Sequence, residues 1–189
     1  MKKKGLALVL ALALLVIGVV GGTLAWLTAK SDTVTNTFTT SDIKVELKET
    51  TGTQYKMIPG YELAKDPKAT VLTGSEECYL FVKLEENNNT YGSGDTAVNF
   101  LSYDIADGWT ALEGVPGVYY RRVLTADIGT AFQVLKDNKV TVSGDVTKEM
   151  MNSLTDATYP TLTVTAYASQ LYKSAGVEFT AAEAWGNIK

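Results

Sequence analysis

Apolar and polar residues alternate through most of this chain from residue 33 onward, and this pattern restricts the fold more than any other feature of the sequence. In IKVELK (43–48), every second residue is aliphatic and the residues between them are Lys or Glu. Successive side chains of a β-strand point to opposite faces of the sheet. A period of two therefore predicts a half-buried strand with one solvated face.

The same pattern predicts further strands, which are separated by turn signals such as Pro59-Gly60, Asp107-Gly108 and Ser143-Gly144. These strands are predicted at 54–58, 69–73, 78–86, 98–105, 118–124, 131–135, 139–142 and 161–172. Many short strands at this spacing predict an all-β fold, a jelly-roll-like antiparallel β-sandwich.

Two short helices are predicted within this β pattern. Residues 146–154 carry apolar side chains at helical spacing, with Asp145 or Thr147 as the N-cap. Near the C-terminus, Thr180 and Glu183 have the spacing of a capping box. We therefore expect one helix before the last long strand and one after it.

The N-terminus has the three parts of a secretory signal peptide. Three lysines (2–4) precede an apolar run at 6–20, and small residues follow at 21–25. Thr23 and Ala25 suit the −3 and −1 positions of a signal peptidase site, so we expect cleavage between Ala25 and Trp26. The predicted organisation is a signal peptide at 1–25, an N-terminal segment at 26–40 and a β-sandwich domain at 41–189.

A retained membrane anchor is the alternative interpretation of the same residues. Residues 5–27 carry no charge, and about 20 apolar residues suffice to span a bilayer. No cluster of basic residues follows that would stop transfer, which favours cleavage. We expect a secreted chain that contacts the membrane only through its uncleaved signal peptide.

Charge and residue content exclude several function classes. Cleavage removes three lysines and no acidic residue, which leaves 14 basic and 21 acidic residues and a net charge of −7. An acidic chain argues against nucleic acid and anionic membrane surfaces as partners. The single Cys78 cannot form an internal disulfide, and the chain contains no His. Ser-His-Asp and Cys-His catalysis and the usual His-containing metal sites are excluded, so we predict a non-enzymatic protein with no catalytic residue, metal or cofactor.

Several acidic residues have both a functional and a structural interpretation. Asp95, Asp104 and Asp107 could offer oxygen ligands to Ca²⁺, but their spacing does not match an EF-hand, and Asp is common in turns. Glu76-Glu77 and Glu85-Glu86 are adjacent pairs, and neighbours on a strand point to opposite faces. We interpret both pairs as charges that protect strand ends.

Other residues are also most simply structural. Tyr119-Tyr120-Arg121-Arg122 combines aromatic and basic residues as nucleic-acid platforms do, yet one basic pair in an acidic chain favours a core Tyr beside exposed or paired Arg side chains. Cys78 is predicted to be a small buried hydrophobe. Asn88-Asn89-Thr90 matches a glycosylation sequon.

A binding module is one of the functions that these residues allow. Loops 87–97 and 104–117 carry Tyr91 and Trp109, which could stack on a carbohydrate or contact a surface partner. In this interpretation the chain is a monomeric exported β-sandwich.

The segment that follows the predicted cleavage site suggests a different function. Residues 26–39 are β-prone and become a free N-terminus only after cleavage. Their apolar or alternating positions are Trp26, Leu27, Val34, Asn36 and Phe38. Such a segment either pairs within its own sheet or adds a strand to a neighbouring subunit. The residues alone leave both options open.

Three stretches carry motifs of a known family. A Gly-Gly-Thr-x-Ala end to the signal peptide (21–25) precedes an aromatic residue, a run with Asp32, Asn36, Phe38 and Thr39, and a strand at 43–47. IPGYELAKDPKATVLTGSEECYLFVKLEE (58–86) has the form P-G-x-x-x-x-K-x-P followed by a Tyr- and Val-rich strand, and TVTAYASQLYKSAGVEFTAAEAW (163–185) forms the end. Together these stretches resemble the TasA and camelysin family of exported proteins of Gram-positive bacteria, and the last is similar to the tail of its clostridial-type members.

This resemblance implies a secreted structural subunit of biofilm-matrix fibres at the cell surface. A dedicated, endoplasmic-reticulum-like type I signal peptidase would cut between Ala25 and Trp26. Residues 26–39 would then be a donor strand that completes the jelly-roll β-sandwich of the next subunit, head to tail. The implied partners are further copies of the chain, the peptidase and an accessory anchoring protein.

A camelysin-like metallopeptidase is the remaining alternative from the same family. The chain has no HExxH motif and no His, and its carboxylates are dispersed. Zinc prefers nitrogen and sulfur ligands, so the residues favour the fibre subunit.

Overall fold

The computed structural model describes residues 42–188, and these residues form a β-sandwich with two short helices. The strands, in chain order, are β1 (Val45–Lys48), β2 (Glu62–Ala64), β3 (Lys68–Val71), β4 (Cys78–Asn87), β5 (Thr90–Tyr91), β6 (Val98–Asn99), β7 (Leu101–Ser102), β8 (Thr110–Ala111), β9 (Val118–Val123), β10 (Ala131–Gln133), β11 (Lys139–Val142), β12 (Thr161–Gln170), β13 (Tyr172–Ser174) and β14 (Val177–Glu178). The helices are α1 (Lys148–Asn152) and α2 (Ala181–Gly186).

All strand pairs between these elements are antiparallel, which confirms the predicted fold class. One layer is a four-stranded sheet in the order β12-β4-β9-β8, and the opposing layer contains the sheets β1-β3-β10 and β2-β11-β7. The chain crosses between the layers from β3 to β4, from β4 through the β5-β6 hairpin to β7, and then from β7 to β8, β9 to β10 and β11 to β12, as expected of a jelly-roll-like sandwich. The hairpins β5-β6 and β13-β14 lie outside these sheets.

The long strand β4 is buried on both faces. Alternate residues of β4, such as Leu80 and Val82, pack between the layers against Ala69 and Val71 of β3. Tyr79 and Phe81 point the other way, into a second cluster that α2 covers with Ala184 and Trp185. This double burial explains why the sequence of β4 is nearly all apolar from Cys78 to Val82.

Both helices begin where the sequence predicts. Thr147, not Asp145, is the N-cap of α1, and its side chain accepts a hydrogen bond from the Met150 N–H. Thr180 and Glu183 form the predicted capping box of α2. The N-terminal boundaries are correct because capping is a local interaction between residues three positions apart, whereas α1 ends at Asn152 and is shorter than the predicted 146–154.

Two strand predictions are wrong in detail. Residues 54–58 form an irregular loop, because side-chain hydrogen bonds hold that loop and no strand of the described region pairs with it. The predicted strand at 98–105 is divided into β6, β7 and an isolated bridge at Ile105, with the buried Phe100 between the two strands. The short strands β2, β5, β8, β13 and β14 lack a long alternating pattern and are not among the predicted strands.

Candidate functional site: an open seam between two edge strands

One side of the sandwich ends in two edge strands, β1 in one layer and β12 in the other. Their Cα atoms approach within 8 Å, but within residues 42–188 no backbone hydrogen bond joins the two strands, and neither outer edge pairs with another strand. The ten residues of β12 form the longest such edge. We call this side of the sandwich, bounded by β1 and β12, the open seam.

A row of incompletely buried apolar side chains follows the open seam. The row comprises Ile43, Val45 and Leu47 before and along β1, and Leu162, Val164, Ala166 and Ala168 on β12. The β12 residues share a face with Leu80 and Val82 of the neighbouring β4, which are fully buried. Because the row packs on the core yet keeps contact with solvent, an added strand could bury it further.

The opposite side of the sandwich is closed by aromatic residues around Arg121. The guanidinium carbon of Arg121 lies 3.6 Å from the ring centroid of Phe132 and 5.3 Å from that of Trp109. The indole N–H of Trp109 donates a 2.8 Å hydrogen bond to the Gln133 carbonyl. Burial lowers the pKa of Arg121. These contacts join β9, and Trp109 directly before β8, to β10, whereas no such contact closes the open seam within residues 42–188.

A groove of about 570 Å³ lies at the end of the open seam where β12 begins. Its floor consists of aliphatic side chains, and its polar lining includes Tyr55 and Tyr159. Its lining includes Lys65 and Asp156 as charged residues and, among others, Tyr55, Leu63, Leu101, Val140, Tyr159 and Leu162. We call it the seam groove. Its volume is in the range of ligand-binding clefts, about 300–1,000 Å³.

The loop that borders the seam groove is held by Asp66. Asp66 is 7% exposed, and its carboxylate accepts hydrogen bonds from the Thr50 N–H at 2.8 Å, the Thr50 hydroxyl at 2.7 Å and the Thr51 N–H at 3.0 Å. These hydrogen bonds, above all those from Thr50, hold the pKa of Asp66 well below its usual value. The loop therefore has a defined conformation beside the groove.

A second set of contacts holds Tyr55 against the groove. Its hydroxyl lies 2.8 Å from a Glu49 oxygen and 2.6 Å from the Gly52 carbonyl, and burial raises the pKa of Tyr55. Lys65 contacts both carboxylate oxygens of Glu49 at 2.9 and 3.0 Å. Asp156 is exposed, and no ion pair within residues 42–188 includes it. The charge of Lys65 is thus matched by Glu49, whereas no cation within residues 42–188 matches the charge of Asp156.

The predicted stacking residues of the loops lie in different surroundings. Tyr91 is 39% exposed and meets the ring of Phe100 edge-on, with centroids 6.3 Å apart. Trp109 belongs to the aromatic closure around Arg121 and is half-buried. The structure therefore does not bring these two side chains into one cluster.

Two of the acidic residues in the predicted pairs, Glu77 and Glu86, accept hydrogen bonds within the fold. Glu77 accepts from the N–H and hydroxyl of Thr125 and from the Tyr172 hydroxyl, and these hydrogen bonds lower its pKa. Glu86 accepts from Asn89 and Tyr103. Among residues 42–188, no three His, Cys, Asp or Glu side chains are grouped as metal ligands would be.

The remaining residues that the sequence singles out also have structural contacts. Tyr119 packs on the first core cluster and Tyr120 on the second, while Arg122 pairs with Glu178 at 2.6 Å. Cys78 is fully buried, and burial raises the pKa of its thiol to about 11. In the sequon, Asn88 donates a hydrogen bond to the Ala157 carbonyl at 3.2 Å.

The predicted cleavage site and donor segment lie outside the described residues. They comprise Ala25, Trp26, Leu27, Val34, Asn36 and Phe38. The seam groove was missed by sequence reasoning, because its walls come from β2, β7, β11 and β12 and from loops far apart in the chain. The only local signal was Tyr159-Pro160 directly before a long strand.

Comparison with protein-family models, with curated proteins and with solved structures gives no match for this chain. Between residues 42 and 188, no helix is long and apolar enough to cross a membrane.

Proposed function

We propose that the chain is a secreted structural subunit of extracellular, biofilm-matrix fibres that assemble head to tail. Residues 26–39 of one copy would add a strand to the open seam of the next copy. The observation that carries this proposal is the ten-residue outer edge of β12, unpaired within residues 42–188, beside the half-buried apolar row. An unprotected edge of this kind is a template for strand addition.

The asymmetry of the sandwich also supports strand addition at this side. The other side is sealed by the stacking of Arg121 with Phe132 and Trp109. The segment that precedes β1 has period-two alternation, with Val34 and Phe38 on one face. Apolar side chains at that spacing can all point toward the half-buried row, which would remove further apolar surface from water.

The partners that follow are further copies of the chain, a dedicated type I signal peptidase that cuts between Ala25 and Trp26, and an accessory anchoring protein at the cell surface. The proposed location is the outside of a Gram-positive cell. These proposals draw on the family resemblance of the N-terminal motif.

The test compares two purified chains, residues 26–189 and a version that starts at Ser41. We expect the longer chain to form fibres in electron micrographs and to scatter light, and the shorter chain to remain monomeric. If both chains assemble equally, or both stay monomeric, strand donation by residues 26–39 is wrong.

A further inference from the structure

The directions of β1 and β12 indicate where the N-terminal end of a seam-bound segment would lie. β1 runs from Val45 toward the loop that reaches the seam groove at residues 53–55, and β12 starts at the groove with Thr161. The chain therefore enters β1 at the end remote from the groove. Suppose that the segment before β1 folds back along the open seam from this point. Its C-terminal end then lies beside the start of β1, and its N-terminal end lies toward the groove.

The length of the segment agrees with this path. At about 3.3 Å per residue, the 14 residues 26–39 span about 46 Å when extended, and the ten residues of β12 span about 33 Å. When a segment is exchanged between copies, it binds the partner at the position that it would occupy in its own subunit. Trp26 and Leu27 of a neighbouring copy would thus reach the seam groove.

The chemistry of the seam groove matches an aromatic N-terminus. Its aliphatic floor, which includes Leu63, Val140 and Leu162, suits a large apolar side chain. Cleavage after Ala25 would give Trp26 a positively charged α-amino group. Asp156 is a groove carboxylate without a cation among residues 42–188, and an ammonium group within about 4 Å of a carboxylate forms an ion pair with it.

We propose that the seam groove is the receptor for the cleaved N-terminus of the next copy, with Trp26 on its aliphatic floor and the α-ammonium group beside Asp156. This inference rests on the proposed donor-strand function and adds an end-specific contact to it. A chain that keeps its signal peptide has no charged amine at Trp26. Assembly would therefore require prior cleavage of the signal peptide.

A disulfide cross-link between two copies tests the location. Copies of residues 26–189 that carry Leu27→Cys are mixed with copies that carry Tyr159→Cys, and the mixture is oxidised. Tyr172→Cys is the matched control, because Tyr172 and Tyr159 are 41% and 49% exposed and Tyr172 is outside the groove. Cys78 is fully buried. We expect covalent dimers with Tyr159→Cys at several times the yield obtained with Tyr172→Cys.

The outcomes separate this inference from the proposed function. Fibres in the micrographs with equal cross-linking at both positions would overturn groove binding and leave strand donation intact. A chain with both Leu27→Cys and Tyr159→Cys that yields only an internally linked monomer would place the segment in its own groove, which contradicts both proposals. A lack of assembly by the unmodified chain contradicts the proposed function directly.

Substitutions test the two contacts separately. We expect Trp26→Ala to raise the critical concentration for assembly by at least about tenfold, as for an interface anchor, and Asp156→Asn to raise it roughly two- to fivefold, as for an exposed ion pair. Two extra residues before Trp26 would move the α-ammonium group away from Asp156. This extension should raise the critical concentration for assembly at least as much as Asp156→Asn does. Asp145→Asn, an exposed acid outside the groove, is the control. Normal assembly of Trp26→Ala alongside failed assembly of Phe38→Ala would refute the groove contact.

Discussion

Gly117 lies where the backbone of two strands comes too close for a side chain. Its φ is +75°, and a Cβ atom there would be 2.5 Å from the Leu84 carbonyl oxygen. The carbonyl of Gly117 also accepts a 2.8 Å hydrogen bond from the Leu84 N–H. Any relief of the clash would therefore disturb the pairing of β4 with β9.

We expect Gly117→Ala to lower the free energy of unfolding by about 1–3 kcal/mol from backbone strain, and by more from the clash. Gly114→Ala is the matched control, because Gly114 has a φ of +73° but no atom within 4 Å of its would-be Cβ. Urea unfolding measures both. Equal losses for the two variants would show that the Leu84 contact does not matter.

Asp66 makes the loop beside the seam groove sensitive to pH. Its folded-state pKa is lowered by hydrogen bonds from Thr50 and Thr51. A lowered pKa stabilises the folded state above the unfolded pKa of about 3.9, and this stability is lost as the pH falls below that value.

We therefore expect Asp66→Asn to lower the Tm at pH 7, and the difference from the wild type to shrink as the pH falls below about 4. The measurement is thermal unfolding of residues 26–189 across this pH range. Asp145→Asn, whose side chain is exposed, should show no such convergence. A Tm difference for Asp66→Asn that is constant with pH would contradict the role of the charge.

Helix α2 acts as a cover for one face of the four-stranded sheet. Trp185 lies 5.2 Å from the ring centroid of Phe81 and 5.4 Å from that of Tyr167. The strand residue Tyr79 donates a hydrogen bond to the Phe179 carbonyl at 2.9 Å, just before the helix. A helix of six residues has little stability of its own, so these contacts hold it in place.

We expect Trp185→Ala to lower the free energy of unfolding by about 2–4 kcal/mol, because it removes a large aromatic contact from the second cluster. Trp185→Phe, which keeps an aromatic ring, should lose less than half of that amount. Chemical denaturation provides the measurement. The role of α2 as a cover would be wrong if both variants unfolded like the wild type.

The sandwich that residues 42–188 form is closed on one side by Arg121 and its aromatic neighbours and open on the other. The strand β12 belongs to the core through its pairing with β4 and to the surface through its outer edge. In native sheets, charged side chains that point inward commonly prevent an edge strand from pairing with another chain. The inward face of β12 instead carries Leu162, Val164, Ala166 and Ala168, which suits an edge that receives a partner.

We expect Ala166→Lys to raise the critical concentration for assembly by at least about tenfold, because a strand added at the seam would bury an unpaired ammonium group. Thr163→Lys is the control, since Thr163 is exposed on the other face and lies opposite Glu85. Light scattering reports assembly and circular dichroism reports folding. Assembly of a folded Ala166→Lys variant at the wild-type concentration would refute strand addition at this edge.

Much of the fold follows from local sequence patterns. Strand β11 matches its predicted range, and the long strands β4 and β12 differ from theirs by one or two residues. The cap residues Thr147 and Thr180 could also be named in advance. Alternation and capping involve residues two or three positions apart, so the sequence contains all the information that they need.

Only the tertiary structure decided which strands are edges and what lies beside them. Tyr55, Val140 and Tyr159 meet in the seam groove across about a hundred residues of sequence, and nothing in their local surroundings marks them. Trp109, which the sequence suggested as a stacking residue, packs beside Arg121 because β8, β9 and β10 meet there. Local periodicity determined the strands and their faces, whereas the open seam depends on strand order, which is set by packing between residues that are distant in the chain.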